Sequence, residues 1–253
     1  MEIGAQFYTL REQCKTLEDF AESLKRVADI GYRTVQISGV CAYEPRWLRD
    51  RLAETGLRCV ITHTNQDRIA DETRQVIADH DVFGCRYIGV GMMPGGLRNP
   101  GDYDDFVRRF VPAGREIAKA GKLLMYHNHN FEFMKAPDGK LYLEKLAEDF
   151  APEELGFTLD TYWVQHGGGD PSAWLDRLAG RVPCVHLKDM ACADFTQRMA
   201  PVGEGNLNWD RILSHAESAG ARYLLVEQDD CGGEDPFDCL RRSYEFLTAR
   251  GLS

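Results

Sequence analysis

A short run of β-forming residues followed by an amphipathic helical run recurs eight times along the chain. Each β-forming run is rich in Val, Ile, Leu, Tyr or Phe. Such an alternation predicts parallel strands covered by helices. The predicted strands begin at Ile3, Thr34, Arg58, Arg86, Lys122, Leu155, Val182 and Arg222.

The helical runs carry their own start and stop signals. In residues 16–30 the apolar side chains are three or four positions apart, which is typical of one face of an α-helix. Gly31 then ends the helix, because glycine readily adopts the left-handed conformation that a helix terminus needs. The same signal recurs at Gly56, Gly121, Gly180 and Gly220.

The spacing of the repeats indicates the architecture. Eight repeats in 253 residues give about 32 residues each, which matches a (β/α)8 TIM barrel of about 250 residues. We therefore predict one α/β domain over residues 1–253, with a doubly wound open sheet as the alternative. In a barrel, the active site lies at the carboxyl ends of the strands. The long polar stretches at residues 134–140 and 191–208 are predicted to be loops at that end.

Composition narrows the classes of function. A formal net charge of −10 disfavours binding to a nucleic-acid backbone. The first residues do not resemble a secretory leader, and no apolar run reaches the roughly 18 residues that span a bilayer, so we expect a cytoplasmic protein without a membrane partner. The eight cysteines form no Cys-x-x-Cys pair and are expected to be reduced thiols.

Side chains that can bind a metal or transfer protons cluster where four predicted strands end. His127 and His129 share one face of strand five, and His186 and Lys188 share one face of strand seven. Strand six ends at Asp160, and Glu227 lies near the end of strand eight. Imidazole and carboxylate groups converging in this way suit a divalent ion such as Mn, Mg, Co or Zn. Such an ion would favour an enediolate intermediate on a sugar.

The sequence resembles the xylose isomerase-like superfamily of sugar isomerases and epimerases, which also contains endonuclease IV and inosose dehydratase. The resemblance extends over nearly the whole chain and rests on six motifs in a fixed order. They are GAQFYTLR at residues 4–11, YHNHNFEF at 126–133, LDTYW at 159–163, VHLKDM at 185–190, VGEGNLNW at 202–209 and VEQDD at 226–230.

This resemblance implies three metal ligands, Asp160, His186 and Glu227. The fourth ligand of the better-known epimerases is a glutamate on strand five, where this chain has His127. Either Glu132 folds back as the ligand, leaving His127 and His129 for proton transfer, or His127 itself binds the metal. We favour Glu132, because a hard divalent ion prefers anionic oxygen and a general base should titrate near neutrality.

Three further residues have both a functional and a structural interpretation. Lys188 is a candidate electrophile or substrate contact, and it could equally pair with a carboxylate at the rim. Tyr8 and His63 end their strands and are candidates for binding substrate hydroxyls, although local hydrogen bonding would also explain them.

The resulting hypothesis is a metal-dependent sugar isomerase or epimerase that acts through an enediolate. A lyase or dehydratase is the alternative, since the same intermediate can expel a leaving group instead of regaining a proton. A non-catalytic sugar-binding barrel is the remote alternative. A small carbohydrate is the expected partner, and the resemblance also implies a homo-oligomer.

Overall fold

A closed barrel of parallel strands forms the centre of the computed structural model, which describes residues 1–99 and 101–253. Around the barrel the strand order is β1-β10-β7-β6-β5-β4-β3-β2, and an antiparallel hairpin, β8-β9, lies outside it. The strands are β1 (Glu2–Gln6), β2 (Thr34–Ile37), β3 (Arg58–His63), β4 (Tyr87–Val90), β5 (Leu123–His127), β6 (Leu155–Asp160), β7 (Cys184–Leu187), β8 (Asp189–Ala193), β9 (Thr196–Ala200) and β10 (Tyr223–Val226).

Helices surround this barrel, so the predicted (β/α)8 fold is confirmed and the open sheet is wrong. Each barrel strand begins within two residues of its predicted start. The helices are α1 (Leu17–Ile30), α2 (Pro45–Thr55), α3 (Gln66–Asp71), α4 (Thr73–Val82), α5 (Asp102–Lys119), α6 (Tyr142–Asp149), α7 (Thr161–His166), α8 (Pro171–Arg177), α9 (Trp209–Ser218) and α10 (Pro236–Thr248).

Helix α1 illustrates how local sequence sets these bounds. The Thr16 side chain accepts a hydrogen bond from the backbone N–H of Asp19 and caps the helix. At the other end Gly31 has a φ of 127°, which other residues rarely adopt. Phe20 and Leu24 on the inner face are fully buried. Burying one such side chain contributes about 1.5–3 kcal/mol, so the face directed at the barrel holds the helix in place.

Two details differ from the sequence-based expectation. The stretch 191–208 is not wholly a loop, because it contains the end of β8 and all of β9, which pair around a turn at Asp194 and Phe195. Both turn residues have positive φ, an unusual conformation for phenylalanine that the sequence does not signal. Strand β5 also ends at His127, so His129 lies in the following loop.

No helix in the described parts of the chain combines the length and the apolar character needed to cross a membrane.

Candidate active site and metal centre

Four strands deliver one side chain each to the same point at the carboxyl end of the barrel. His127 ends β5, Asp160 ends β6, His186 lies on β7 and Glu227 follows β10. All four are buried, and one ligand atom from each lies within 4.8 Å of those of the others. We refer to these four residues as the acceptor cluster.

The contacts within the acceptor cluster are short. His127 Nε2 lies 3.1 Å and His186 Nδ1 3.7 Å from Asp160 Oδ2. His186 Nδ1 also lies 2.8 Å from Glu227 Oε2. The register of the barrel produces this convergence, since Asp160 on β6 lies directly beside His186 on β7.

A surrounding layer of hydrogen bonds determines which atom of each imidazole faces the cluster. His127 Nδ1 lies 2.9 Å from the backbone carbonyl of Gly91, which can only accept a hydrogen bond. His186 Nε2 lies 2.6 Å from Gln36 Oε1, also an acceptor. In the neutral imidazoles the proton therefore lies on these outer nitrogens, and His127 Nε2 and His186 Nδ1 present lone pairs to the cluster.

The two carboxylates are held in the same manner. Gln6 Nε2 donates to Glu227 Oε1 at 3.0 Å, which leaves Oε2 for the cluster. The backbone N–H of Trp163 donates to Asp160 Oδ1 at 2.9 Å, which leaves Oδ2 for the cluster. Each member thus uses one polar atom for orientation and turns the other inward.

This donor set fits a divalent cation. Two imidazole nitrogens and two carboxylate oxygens are common ligands of Zn and Mn. His186 Nδ1 and Glu227 Oε2 lie 2.8 Å apart, and although burial by itself would lower the pKa of His186, Glu227 and Asp160 raise it overall. Positive charge on Lys188, and on His186 when it is protonated, offsets these buried carboxylates, and a bound divalent cation would do the same. The acceptor cluster can therefore hold a metal ion.

Lys188, predicted to be catalytic, lies against the acceptor cluster and is 1% exposed. Its Nζ is 3.2 Å from Asp160 Oδ2, 3.0 Å from Glu227 Oε2 and 3.0 Å from Asp229 Oδ1. Pairing with a carboxylate, one of the two interpretations that the sequence left open, is thus present, and it involves three carboxylates rather than one. The ammonium lies between the cluster and Asp229, whose side chain is 23% exposed.

These contacts shift the pKa values of the groups. Burial by itself would raise the pKa of Asp160 and Glu227, but the Lys188 ammonium and the neighbouring imidazoles lower the pKa of both overall. Burial likewise would lower the pKa of Lys188, and the three carboxylates raise it instead. At neutral pH Asp160 and Glu227 are therefore ionised and Lys188 is charged, whereas burial and the neighbouring Glu227 raise the pKa of Asp229 to about 7.

Glu132 lies outside the acceptor cluster, contrary to the expectation that it is the fourth ligand. Its Oε1 accepts a hydrogen bond from the Tyr126 hydroxyl at 2.5 Å, and its Oε2 accepts one from the backbone N–H of His129 at 2.8 Å. Residues 131–133 form a single 3-10 turn, which turns this side chain back under the loop. The structure thus places the side chain of His127, and not that of Glu132, in the acceptor cluster.

Above the acceptor cluster is a cavity of about 530 Å³, within the range of small-molecule sites. We call it the barrel-mouth cavity. It brings together the remaining candidates, since His63, His129, Tyr8 and Lys188 all line it. Burial lowers the pKa of His129 to about 3 and also lowers the pKa of His63, so both imidazoles are neutral at pH 7. The other lining residues are Ser38, Gly39, Thr64, Asn65, Gln66, Gly91, Met92, His127, Trp163, Glu227 and Asp229.

The sequence reasoning missed the orienting residues Gln6 and Gln36. Both are fully buried in barrel strands, where apolar side chains are the rule. A polar amide within the apolar runs IGAQFYT and TVQISGV was the available signal, because a buried amide requires a partner. The signal could not reveal the partners themselves. Gln6 contacts Glu227, which is 221 residues away, and Gln36 contacts His186, which is 150 residues away.

Comparison with known proteins identifies the family of this barrel. A model of the xylose isomerase-like TIM barrel family matches residues 24–250. An inosose dehydratase of Geobacillus kaustophilus is 25% identical over 191 residues, which are 66% of this chain and 61% of that protein. This chain thus aligns with less than two thirds of the length of that relative.

Two solved structures have the same fold. A sugar phosphate isomerase/epimerase of Parabacteroides distasonis superposes with a TM-score of 0.81 at 24% identity, over 98% of this chain and 93% of the other. A probable 3-DHS dehydratase of Bacillus anthracis superposes with a TM-score of 0.74 at 17% identity, over 98% and 99% of the two chains. Together with the family match over most of the chain, the barrel and its motifs establish that this protein belongs to the xylose isomerase-like TIM barrel family.

Proposed function

We propose that the protein is a divalent-metal-dependent sugar isomerase or epimerase that acts on a carbohydrate or keto-sugar through an enediolate. The observation that carries this proposal is the acceptor cluster, whose inward-facing lone pairs lie at the floor of the barrel-mouth cavity. His127, Asp160, His186 and Glu227 would hold the ion. A bound divalent ion would supply positive charge that lowers the cost of placing negative charge on a substrate oxygen.

His129 is our candidate for proton transfer. Its imidazole lines the cavity and is neutral, so it has a lone pair that can accept a proton, although the pKa of about 3 that burial gives it makes it a weak base. Hydrogen bonding of Glu132 to the backbone N–H of His129 fixes the loop that carries this ring. His127, a candidate for the same role in the sequence analysis, would instead be a metal ligand.

Lys188 is our candidate for stabilising the enediolate. Its ammonium lines the cavity and is kept charged by the surrounding carboxylates, so it can face a substrate oxygen that gains negative charge. Tyr8 and His63 would bind substrate hydroxyls. The Ser38 hydroxyl lies 3.0 Å from His63 Nδ1 and orients that ring.

The proposal is tested by proton exchange. The Mn-loaded protein is incubated in D2O with free aldoses and ketoses, 3-keto-glucosides and inososes, and NMR follows deuterium at carbon. We expect deuterium in a carbon-bound position of at least one substrate, with its carbon skeleton intact. His186→Ala should abolish exchange, whereas His215→Ala, a half-exposed histidine paired with Asp176, should not. Metal-loaded protein that exchanges no proton in any substrate would contradict the proposal.

The second candidate is a metal-dependent lyase or dehydratase. The similarity to an inosose dehydratase over 191 residues supports it. The same NMR experiment separates the two candidates, because loss of water or of an aglycone identifies elimination. Binding of a sugar with neither exchange nor elimination would favour a non-catalytic sugar-binding barrel instead.

A further inference from the structure

A second cavity lies at the amino end of the barrel, on the face opposite the acceptor cluster. Helix α2, the residues after α4 and the starts of β3, β4 and β10 line it. Its volume is about 400 Å³, within the range of small-molecule sites. We call it the amino-end cavity, and its polar lining includes Arg49, Arg58, Arg86, Tyr87, Arg222 and Tyr223.

The charge of this lining is one-sided. Four arginines line the cavity and no aspartate or glutamate is among its described lining residues, although acidic residues outnumber basic ones 40 to 30 in the sequence. Arg49 forms an ion pair with its neighbour Asp50, and Arg58 forms one with Glu2. Within the described parts of the chain, the other two arginines form no ion pair with any carboxylate.

These two arginines, Arg86 and Arg222, immediately precede β4 and β10. Cations occupy the equivalent position before β2 and β5, where they have structural partners. The Arg33 guanidinium donates to two backbone carbonyls, and Lys122 Nζ lies 2.7 Å from Asp81 Oδ1. Arg86 and Arg222 are instead exposed at the cavity, so their positive charge is available to a ligand.

Two tyrosines form an aromatic wall beside these charges. Tyr87 and Tyr223 begin strands on opposite sides of the barrel, and their ring centroids lie 6.3 Å apart. Burial raises the pKa of the Tyr87 hydroxyl, and the nearby guanidinium groups of Arg86 and Arg222 oppose that rise. Both guanidinium groups therefore lie near one neutral hydroxyl, which can donate a hydrogen bond to an anion.

The interior of the barrel separates this cavity from the acceptor cluster. Ile61, Met125, Cys184 and Leu225 are fully buried and form an apolar cluster with Tyr87 inside the barrel. A ligand at the amino end therefore does not compete for space with a substrate at the carboxyl end.

The chemistry of the lining indicates the class of ligand. Guanidinium groups bind phosphate oxygens through paired, charge-assisted hydrogen bonds. A phosphate monoester carries nearly two negative charges at pH 7, which matches the two unpaired guanidinium groups. Inorganic phosphate would leave most of the volume empty, whereas the tyrosine rings and the buried Leu52 and Leu57 offer apolar surface to an organic group.

We propose that the amino-end cavity is a second binding site, which takes a small organic phosphate monoester with an aromatic or apolar body. Its phosphate lies between Arg86 and Arg222, and its body packs against Tyr87 and Tyr223. The site is independent of the chemistry proposed for the barrel mouth.

Matched ligands test this assignment by isothermal titration calorimetry of the Mn-loaded protein at pH 7.5. Phenyl phosphate supplies both parts of the proposed ligand, whereas inorganic phosphate lacks the ring and benzyl alcohol lacks the charge. We expect phenyl phosphate to bind at least tenfold more tightly than either. Absence of phenyl phosphate binding, or equally tight binding of inorganic phosphate, would overturn the assignment.

Variants locate the binding. Arg86→Gln combined with Arg222→Gln removes the two unpaired charges and should weaken phenyl phosphate binding at least tenfold. Arg108→Gln removes an exposed arginine of α5 and should change it less than twofold. Ala53→Trp fills the cavity from an exposed position of α2 and should weaken binding at least fivefold. If the double arginine variant binds phenyl phosphate as tightly as the natural protein, the assignment is wrong.

Metal-free protein separates the two ends of the barrel. Since a metal ion in the acceptor cluster can itself capture phosphate, the titration is repeated after the metal has been chelated and the chelator dialysed away. We expect the affinity for phenyl phosphate to be unchanged. If removing the metal abolishes binding, the ligand binds at the barrel mouth and the assignment fails. Proton exchange tests the proposed function separately, so either proposal can fail alone.

Discussion

At the scale of single residues, the orientation of each metal-competent side chain depends on a partner far away in sequence. Gly91 and Gln36 turn the imidazoles of His127 and His186, and Gln6 turns the Glu227 carboxylate. Loss of such an orienting partner typically lowers metal affinity about 10–100-fold. The predictions at this scale therefore separate residues inside the acceptor cluster from residues beside it.

The first prediction separates His127 from Glu132. His127→Ala removes one of four ligands, so we expect its metal affinity to fall at least 100-fold. Glu132→Gln should change affinity less than fivefold, because its amide can still accept from the His129 N–H and donate to the Tyr126 hydroxyl oxygen. Metal titration calorimetry with Mn and Zn measures both. A larger loss in Glu132→Gln than in His127→Ala would restore Glu132 as the ligand.

The second prediction concerns pH. Burial raises the pKa of Glu132 from an ordinary 4.5 to about 7. Between these values the folded state keeps a proton that the unfolded state has released, so Glu132 reduces stability as pH rises from 4.5 to 7. The loss is on the order of 3 kcal/mol. Glu132→Gln should remove it, as measured by urea unfolding at several pH values.

Comparison across variants isolates this contribution, because other groups titrate in the same range. The exposed Glu153→Gln should have the same pH dependence as the natural protein. If Glu132→Gln also retains the natural dependence, Glu132 is already ionised across this range and the prediction is wrong.

The third prediction concerns Lys188. Lys188→Met leaves three carboxylates near one another without the ammonium, and breaking a buried ion pair costs about 3–5 kcal/mol. We expect the free energy of unfolding in urea to fall by this amount when a chelator has removed the metal, and by less when Mn is bound. The exposed pair of Lys15 with Glu12 offers a control, since Lys15→Met should cost less than about 1 kcal/mol. Equal costs for the two variants would show that Lys188 does not offset the cluster.

At the scale of elements, Asp189 organises the long connection between β7 and α9. Its carboxylate accepts hydrogen bonds from the backbone N–H groups of Gly203, Gly205 and Leu207 and from Trp209 Nε1, the last at 2.6 Å. The loop packs so closely that a Cβ on Gly205 would lie 2.4 Å from Asp189 Oδ1. One buried carboxylate thus holds a loop that would otherwise have unpaired N–H groups.

We therefore expect Asp189→Ala to destabilise the protein by about 3 kcal/mol or more, since each hydrogen bond to a charged group contributes about 1.5–3 kcal/mol. Hydrogen exchange should accelerate in residues 200–209 before it does so in the barrel strands. Asp210→Ala, an exposed residue at the start of α9, should cost less than about 1 kcal/mol. Unchanged exchange in residues 200–209 would contradict this role.

The elements also show what the sequence could predict. Strand and helix positions follow from local periodicity, which is why each barrel strand begins within two residues of its expected start. The β8-β9 hairpin was missed, because its turn uses Asp194 and Phe195 in a conformation usually marked by glycine or asparagine. Family resemblance located Asp160, His186 and Glu227, but the position of Glu132 depends on hydrogen bonds that leave no periodic signal.

At the scale of the whole molecule, a metal in the acceptor cluster would join β5, β6, β7 and the end of β10. A ligand that binds only the folded state stabilises it by about 2.7 kcal/mol at 100 times its Kd. For a chain of this size we expect chelation to lower the Tm by about 5–10 °C. In differential scanning calorimetry His127→Ala should melt at the same temperature with and without chelator. If the natural protein has the same Tm with and without chelator, no metal joins these strands.

The barrel closes where β1 pairs with β10, which joins residues 2–5 to residues 223–226. Glu227 immediately follows this last strand. During synthesis, therefore, the fourth side chain of the acceptor cluster is added only after β10, the strand that closes the barrel. A nascent chain stopped before β10 would have His127, Asp160 and His186 and two open sheet edges. Tight metal binding would then require the complete barrel, so a full-length chain would bind the ion more tightly than a chain that lacks β10.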